Sequence, residues 1–292
     1  MNNHTILIIG AAGNNGMATI ESLVNKQDAK NTIRAAVRSV EKAEQLKKKF
    51  PSIETVIIDL DKPETLTTAY KDVTKVFMIP GNVEQREQHA KNSIDAAVQA
   101  GTVKQFLFYS VVGAEYEAIL FAQQFRAGEK YLEKSGLKWT HLRTIFFQDN
   151  FFGWADGVKQ GGLYLGIRDG SFAPLNVADI GEMAANILTT SGHEHKAYNV
   201  TGPVLLSGED MAQVFADITG KEVAYVSPTQ EQTLDSLLSI GFPEWQAKGM
   251  LELFEVFATN QAAVVSPDGE QLLGRPLTEL KGFLAENKAA FV

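Results

Sequence analysis

Short apolar runs alternate along the chain with longer stretches whose apolar residues recur at helical spacing. The runs cover 5–9, 32–37, 53–58, 75–79, 105–110 and 139–142. Their hydrophobicity is continuous instead of alternating, which is the pattern of parallel strands covered on both faces. Helices are predicted near 15–25, 40–49, 63–70, 83–100 and 118–135. Pro63 sits at a first turn, and Gly101 and Gly136 stand just past a last turn. This strand–helix rhythm predicts an α/β fold, a Rossmann-type doubly wound parallel sheet with right-handed crossovers. After Asn150 the rhythm breaks. Glycines crowd 153–170, helices dominate from Ser207, and 241–257 is rich in aromatics. The expected organisation is a sheet domain over 1–150 and a smaller, mostly helical lobe over 151–292. A segment near 173–200 returns to the first domain, with a helix at 179–188 capped by Asp179.

Composition narrows the chemistry. Of 292 residues, 45% are hydrophobic and 21% charged, enough apolar material for a large core and against disorder. Lysine and arginine total 27 against 35 acids, a net charge of −8, the wrong sign for direct binding of nucleic acid. The absence of cysteine removes disulfides, thiol nucleophiles, iron–sulfur clusters and thiolate zinc sites. No apolar run reaches about 18 residues, so no membrane span is expected. Met1-Asn2-Asn3-His4 carries no basic n-region before the first apolar run, so no secretory signal is expected, and the expected location is the cytoplasm.

The first run leads into Gly10-Ala11-Ala12-Gly13-Asn14-Asn15-Gly16 and then an amphipathic segment. In this G-x-x-G-x-x-G spacing, Gly10 serves a tight turn and Gly13 a close approach to pyrophosphate. Gly16 serves packing of helix on strand. The helix N-terminus offers unpaired N–H groups and partial positive charge to the phosphates. Residues 1–150 are therefore expected to bind a dinucleotide. Where the second strand ends, an acid would hold a free ribose 2′-hydroxyl. Arg38 stands there instead, followed by Ser39 and Lys42, while Asp28 falls too early. A guanidinium suits a 2′-phosphate. NADP(H) is favoured, NAD(H) is the alternative cofactor, and a plain solvated basic patch is the structural alternative.

Ligands of open parallel sheets sit beyond the carboxyl ends of the strands. Those ends here are Asp59-Leu60, Ile79-Pro80-Gly81, Ser110-Val111 and the segment from Thr144 to Phe147. Asp59 can accept from an adenine amino group with Leu60 on the ring, or cap the next helix with Asp61. Pro80 and Gly81 suit a thin backbone wall beside a nicotinamide ribose, or simply a turn. Ser110 can donate to a carbonyl near the nicotinamide but has no activating base.

The glycine turn, Val37-Arg38, Tyr109-Ser110-Val111-Val112-Gly113 and Glu129-Lys130-Tyr131-Leu132-Glu133-Lys134-Ser135-Gly136-Leu137 together resemble the NmrA-like atypical short-chain dehydrogenase/reductases. So do Thr140-His141-Leu142-Arg143, Asp149-Asn150 and Tyr198-Asn199-Val200-Thr201-Gly202-Pro203. The resemblance spans nearly the whole chain and is strongest to the bacterial branch of triphenylmethane, azo-dye and quinone reductases. It implies a Rossmann fold with a helical substrate lobe. It further implies cofactor contacts at 10–16, 38–42, Asp59, Leu60, Ile79 to Gly81, and Phe147 to Asn150. Two departures matter. None of the seven tyrosines has lysine four residues on, so the Tyr-x-x-x-Lys acid–base pair of alcohol dehydrogenases and sugar epimerases is missing. Many relatives also carry a lysine or histidine where this chain has Phe125, with Arg126 beside it as a candidate to reach the cofactor.

The expected function is NADPH-dependent hydride transfer to a quinone-like, dye-like or other conjugated acceptor, for which no strong protein acid is needed. Phe146, Phe151 and Trp154, joined by Phe242 and Trp245 of the helical lobe, are the candidate pocket for a flat acceptor; the alternative role is core packing. The competing function is a catalytically silent NADP(H) sensor with a regulatory protein partner. No metal site is expected, since His193-x-His195 has no third ligand nearby. The sequence leaves the acceptor and the oligomeric state open.

Overall fold

The computed structural model describes residues 4–26 and 31–292. Residues 1–3, on which the leader expectation falls, and Asp28 lie outside them. Alternation begins at once: β1 (His4–Ile9), α1 (Asn14–Asn25), β2 (Asn31–Val37), α2 (Val40–Lys49), β3 (Glu54–Ile57), α3 (Leu66–Ala69), β4 (Lys75–Met78), α4 (Arg86–Ala100), β5 (Gln105–Val111), α5 (Leu120–Lys134) and β6 (Trp139–Thr144). The chain then leaves the sheet through α6 (Ala155–Lys159), β7 (Gly162–Tyr164) and β8 (Ser171–Phe172). It returns with α7 (Val177–Thr189) and β9 (Lys196–Val200). The sheet has seven strands in the order β3-β2-β1-β4-β5-β6-β9, and each registered pair from β3 to β6 is parallel. This is the Rossmann-type doubly wound sheet that the hydrophobic pattern predicts.

The chain forms two compact units. The first comprises Met1–Glu115, Ala122–Thr144 and Val177–Asn199; the second comprises Tyr116–Phe121, Ile145–Asn176 and Val200–Val292. In the first, Ile6, Leu7, Ile8, Phe106, Leu107 and Phe108 have no exposed surface, so the central strands are covered on both faces and their sequence has no alternation to show. Helix α7 lies close against α1: a Cβ on Gly181 would meet the Ala18 Cβ at 2.7 Å.

Three local readings differ from the sequence. The 63–70 helix opens with the 3₁₀ turn Pro63–Thr65, with Pro63 at the first position, where its fixed φ suits a helix start and its missing N–H costs nothing. Helix α4 begins at Arg86, not 83, leaving a longer turn after β4. Asp179 lies inside the first turn of α7 and is buried, two residues past the start of that helix and not at the position preceding it. Strand β9 was not predicted. It lies at the sheet edge with Lys196 and Ala197 exposed, and an edge strand needs no apolar run.

The second unit continues with β10 (Leu206–Ser207), α8 (Gly208–Thr219), β11 (Ala224–Val226), α9 (Gln230–Ser239), α10 (Glu244–Ala258), α11 (Asp268–Leu273) and α12 (Leu280–Glu286). Its strands make only two small pairs, β8 with β10 and β7 with β11. Capping boxes start α8 (Ser207, Asp210) and α9 (Thr229, Gln232), each satisfying N–H groups that a helix start would leave open. The core of this unit is aromatic. Phe146 meets Phe172 at 5.4 Å, and Phe151 meets Phe215 at 5.6 Å. Phe172 stacks on Phe257 at 4.4 Å.

Candidate functional site

The parallel register brings the ends of β1, β2, β3, β4 and β5 to one edge of the sheet. At the end of β1, Gly10 takes a φ of +81°, and a Cβ there would lie 2.7 Å from the Ile79 carbonyl oxygen. Only glycine meets both demands. The Gly13 N–H donates to the Gly10 carbonyl at 3.0 Å and closes the turn. Gly13 is then the N-cap of α1 in extended conformation, with no side-chain cap and no acid in the first turn. The first N–H groups of α1 therefore keep their positive end for an anion. A Cβ on Gly16 would run into the Gly10 carbonyl and stand 2.7 Å from the Ala11 Cα, whereas one on Gly13 would come no nearer than 3.4 Å to the Gly10 oxygen. Ala11, Asn15 and Gly16 are buried, Ala12 is half-buried, and Gly13 and Asn14 face solvent. Cradle and uncapped helix start fit a pyrophosphate.

Beside it, the exposed Arg38 guanidinium follows β2, 4.0 Å from Asp61 Oδ2. Ser39 Oγ accepts from the Lys42 N–H at 3.3 Å and caps α2, while Lys42 Nζ donates to Gln45 Oε1 at 3.2 Å. Beyond β3, Asp59 Oδ1 accepts from the Asp61 N–H at 3.1 Å and Oδ2 lies 3.5 Å from Lys62 Nζ. The Asp61 N–H, aided by Lys62 and Arg38, holds the Asp59 carboxyl below the usual carboxylate range. Leu60 is buried next to it.

The β4 turn is tied down by a residue that motif reading overlooked. Arg86, 3% exposed, donates from Nε to the Gly81 carbonyl at 3.1 Å and through Nη2 to Asn82 Oδ1 at 2.7 Å. Its Nη1 donates to Gln124 Oε1 at 2.6 Å. The guanidinium lies 4.4 Å from the Phe125 ring centre, and burial pushes its pKa down to about 10. Thus Phe125 packs under an arginine from α4. Pro80 is buried, Ile79 half-buried and Gly81 exposed.

At the end of β5, Ser110 is fully buried beside Glu129, and Val111 is half-buried. Thr144 Oγ1 donates to the Tyr109 hydroxyl at 2.6 Å. Burial raises the Tyr109 pKa well above the ordinary phenol value, so the phenol keeps its proton at neutral pH. Tyr109 and Thr144 stand in a motif and at a strand end that the sequence shows, but nothing in the local sequence of either reveals their bond.

A charge network joins α5 to β6. Arg143 forks onto Glu129 with two 2.8 Å bonds and reaches Glu115 at 2.8 Å; Arg126 bonds Glu129 at 3.0 Å and Glu133 at 2.5 Å. Arg126 is thus engaged by two carboxylates of its own helix. Glu129, Glu133 and His141 bring ligand atoms within 4.8 Å of one another, the geometry of a cation site. Two guanidinium groups already occupy the carboxylates, and their charge opposes a metal ion. His193 spends both ring nitrogens, Nδ1 on the Tyr198 hydroxyl at 2.8 Å and Nε2 on Thr190 Oγ1 at 2.7 Å.

The remaining predicted residues belong to the second unit. Phe147 is half-buried and bridges to Leu175, while Asn150 is exposed. Phe146 and Phe151 are in the aromatic core, at 7% and 0% exposure. Trp154 is half-buried, packs on both at 6.1 Å, and donates from Nε1 to the Tyr164 carbonyl. Phe242, between α9 and α10, is half-buried, and Trp245 lies edge-on to Phe121 at 6.5 Å.

A strand order running outward from β1 to both sides, with a glycine turn at the first strand's end, places this chain in the Rossmann class of α/β proteins. The chain belongs to the NmrA-like family, whose sequence model matches residues 2–282. It is 31% identical over 288 residues to an NAD(P)H azoreductase of Xenophilus azovorans, covering 98% of this chain and 99% of that protein. It is also 31% identical over 281 residues to quinone oxidoreductase 2 of Escherichia coli, covering 94% and 96%. The Citrobacter sp. triphenylmethane reductase complexed with NADP(H) superposes with a TM-score of 0.88 at 28% identity, over 96% of this chain and 99% of that one.

Proposed function

We propose that this protein is an NADPH-dependent oxidoreductase that passes hydride to a quinone-like, dye-like or other conjugated acceptor. The observation that carries the reading is the uncapped glycine turn at 10–16 with the exposed Arg38 guanidinium at the neighbouring strand end. The similarity to azo-dye, quinone and triphenylmethane reductases supports the acceptor class. Bound nicotinamide supplies the hydride.

The chain's own residues bind, orient and exclude. The N–H groups at the start of α1 hold the pyrophosphate, Arg38 and Lys42 hold the 2′-phosphate, and Asp59 with Leu60 receives the adenine. Ile79, Pro80 and Gly81 form the backbone wall beside the nicotinamide end, held in place by Arg86. Ser110 and Val111 complete the cofactor surroundings of the first unit; in the second unit Phe147 and Asn150 are the candidates for cofactor contact, and the half-buried Trp154, Phe242 and Trp245 are the candidate aromatics for a flat acceptor. Protonated Tyr109 does not serve as a base at neutral pH, and with no Tyr-x-x-x-Lys pair the reduced acceptor takes its proton from water. Among the described residues, no helix is long and apolar enough to cross a membrane. We place the protein in the cytoplasm.

Steady NADPH oxidation with a panel of quinones, azo dyes and triphenylmethane dyes tests the reading. Turnover with at least one class is expected, and a flat trace with all of them would refute it. Replacing Arg38 by alanine is expected to weaken NADPH binding about tenfold or more, the value of a charge-assisted hydrogen bond, and to leave NADH binding nearly unchanged. Calorimetry with the two dinucleotides checks this.

A further inference from the structure

The end of β2 carries no acid, yet the tertiary fold delivers one there. Asp61, from the turn after β3, places Oδ2 4.0 Å from the Arg38 guanidinium. Its other oxygen, Oδ1, is held by His89 Nε2 at 2.6 Å. His89 lies on α4 with its ring only 2% exposed, whereas the Asp61 side chain is 60% exposed. The two oxygens therefore differ: a buried ring pins one, and the other is aimed at the guanidinium. Nothing in that arrangement is needed to start a helix, since Asp59 Oδ1 receives the Asp61 N–H and Thr65 Oγ1 the Asp59 N–H.

We infer that Asp61, anchored by His89, sets cofactor preference by opposing the 2′-phosphate at Arg38 and accepting a hydrogen bond from the free 2′-hydroxyl of NAD(H). This rests on the dinucleotide reading above and deepens it. An anion on Arg38 must share that guanidinium with a carboxylate that the buried ring keeps close. Like charges a few ångströms apart repel appreciably even at a solvated edge. A neutral ribose hydroxyl meets no such repulsion and gains an acceptor. The site is then built to admit both dinucleotides instead of rejecting the unphosphorylated one.

The test is calorimetric titration of NADPH and NADH into the unaltered protein, Asp61→Asn and Asp61→Ala, with melting temperatures to confirm folding. Removing the charge is expected to raise the ratio of NADPH to NADH affinity about five- to tenfold in both variants, an effect of the size that a nearby unit charge exerts. The tightening should fall on NADPH. An unmoved ratio with normal binding by the unaltered protein would overturn this inference alone. A fallen ratio would also overturn it, since Asp61 would then be holding Arg38 in place for the phosphate. No heat from the unaltered protein with either dinucleotide would overturn the cofactor reading and this inference with it.

Discussion

Gly13 and Gly16 belong to one motif but answer differently to the same added methyl group. At Gly16 the methyl collides with backbone, the Gly10 carbonyl and the Ala11 Cα, and neither can rotate away. Gly16→Ala is expected to cost about 1–3 kcal/mol of stability and to abolish NADPH binding, read by thermal unfolding and calorimetry. At Gly13 the nearest atom is 3.4 Å away, so Gly13→Ala should change stability by less than about 1 kcal/mol while weakening the dinucleotide, because the methyl intrudes on the phosphate approach. Residue spacing made the cradle and Arg38 legible. It could not show Asp61 beside Arg38, because that proximity comes from β2 and β3 lying side by side.

Two elements act through side chains that the hydrophobic pattern ignores. Helix α4 holds the turn after β4 through Arg86, whose three hydrogen bonds need its planar fork. Arg86→Leu is expected to cost about 2–3 kcal/mol and to speed amide exchange at Gly81 and Asn82, whereas a melting point and exchange rates like those of the native protein would count against the tether. Helix α5 joins β6 through Glu129. Burial pushes its carboxyl up, but the Arg143 fork and the His141 and Arg143 charges pull it further down, to below its ordinary 4.5. A depressed folded-state pKa adds stability that is complete above about pH 4.5 and is lost as pH falls through the folded value. Glu129→Gln should therefore lose about 3 kcal/mol at pH 7, with the deficit shrinking toward acid pH. Urea unfolding at several pH values checks that sign. Both elements were predicted as helices from periodicity, yet the partners Gln124 of Arg86 and Arg143 of Glu129 lie on other elements and leave no periodic trace.

For the whole molecule, the proposed cofactor residues fall mainly in the first unit, and the aromatic core belongs to the second. NADPH at a hundredfold excess over its dissociation constant is expected to stabilise the protein by about 2.7 kcal/mol. Hydrogen exchange should slow at 10–16, 38–42, 59–61 and 79–81 and stay unchanged around Phe172, Phe215 and Phe257; uniform slowing across both units would contradict that localisation. The chain alone determined the alternation of strands and helices, the α/β class, the glycine turn and the basic strand end, because burial on both faces and tight turns impose residue types locally. Tertiary structure decided the rest. It put Phe146 and Phe151 in a core, set Asp61 against Arg38, tied Arg86 to Gln124 and added β9 at the sheet edge. Each depends on which distant segments meet in space, and pairings of that kind leave no period or spacing along the chain.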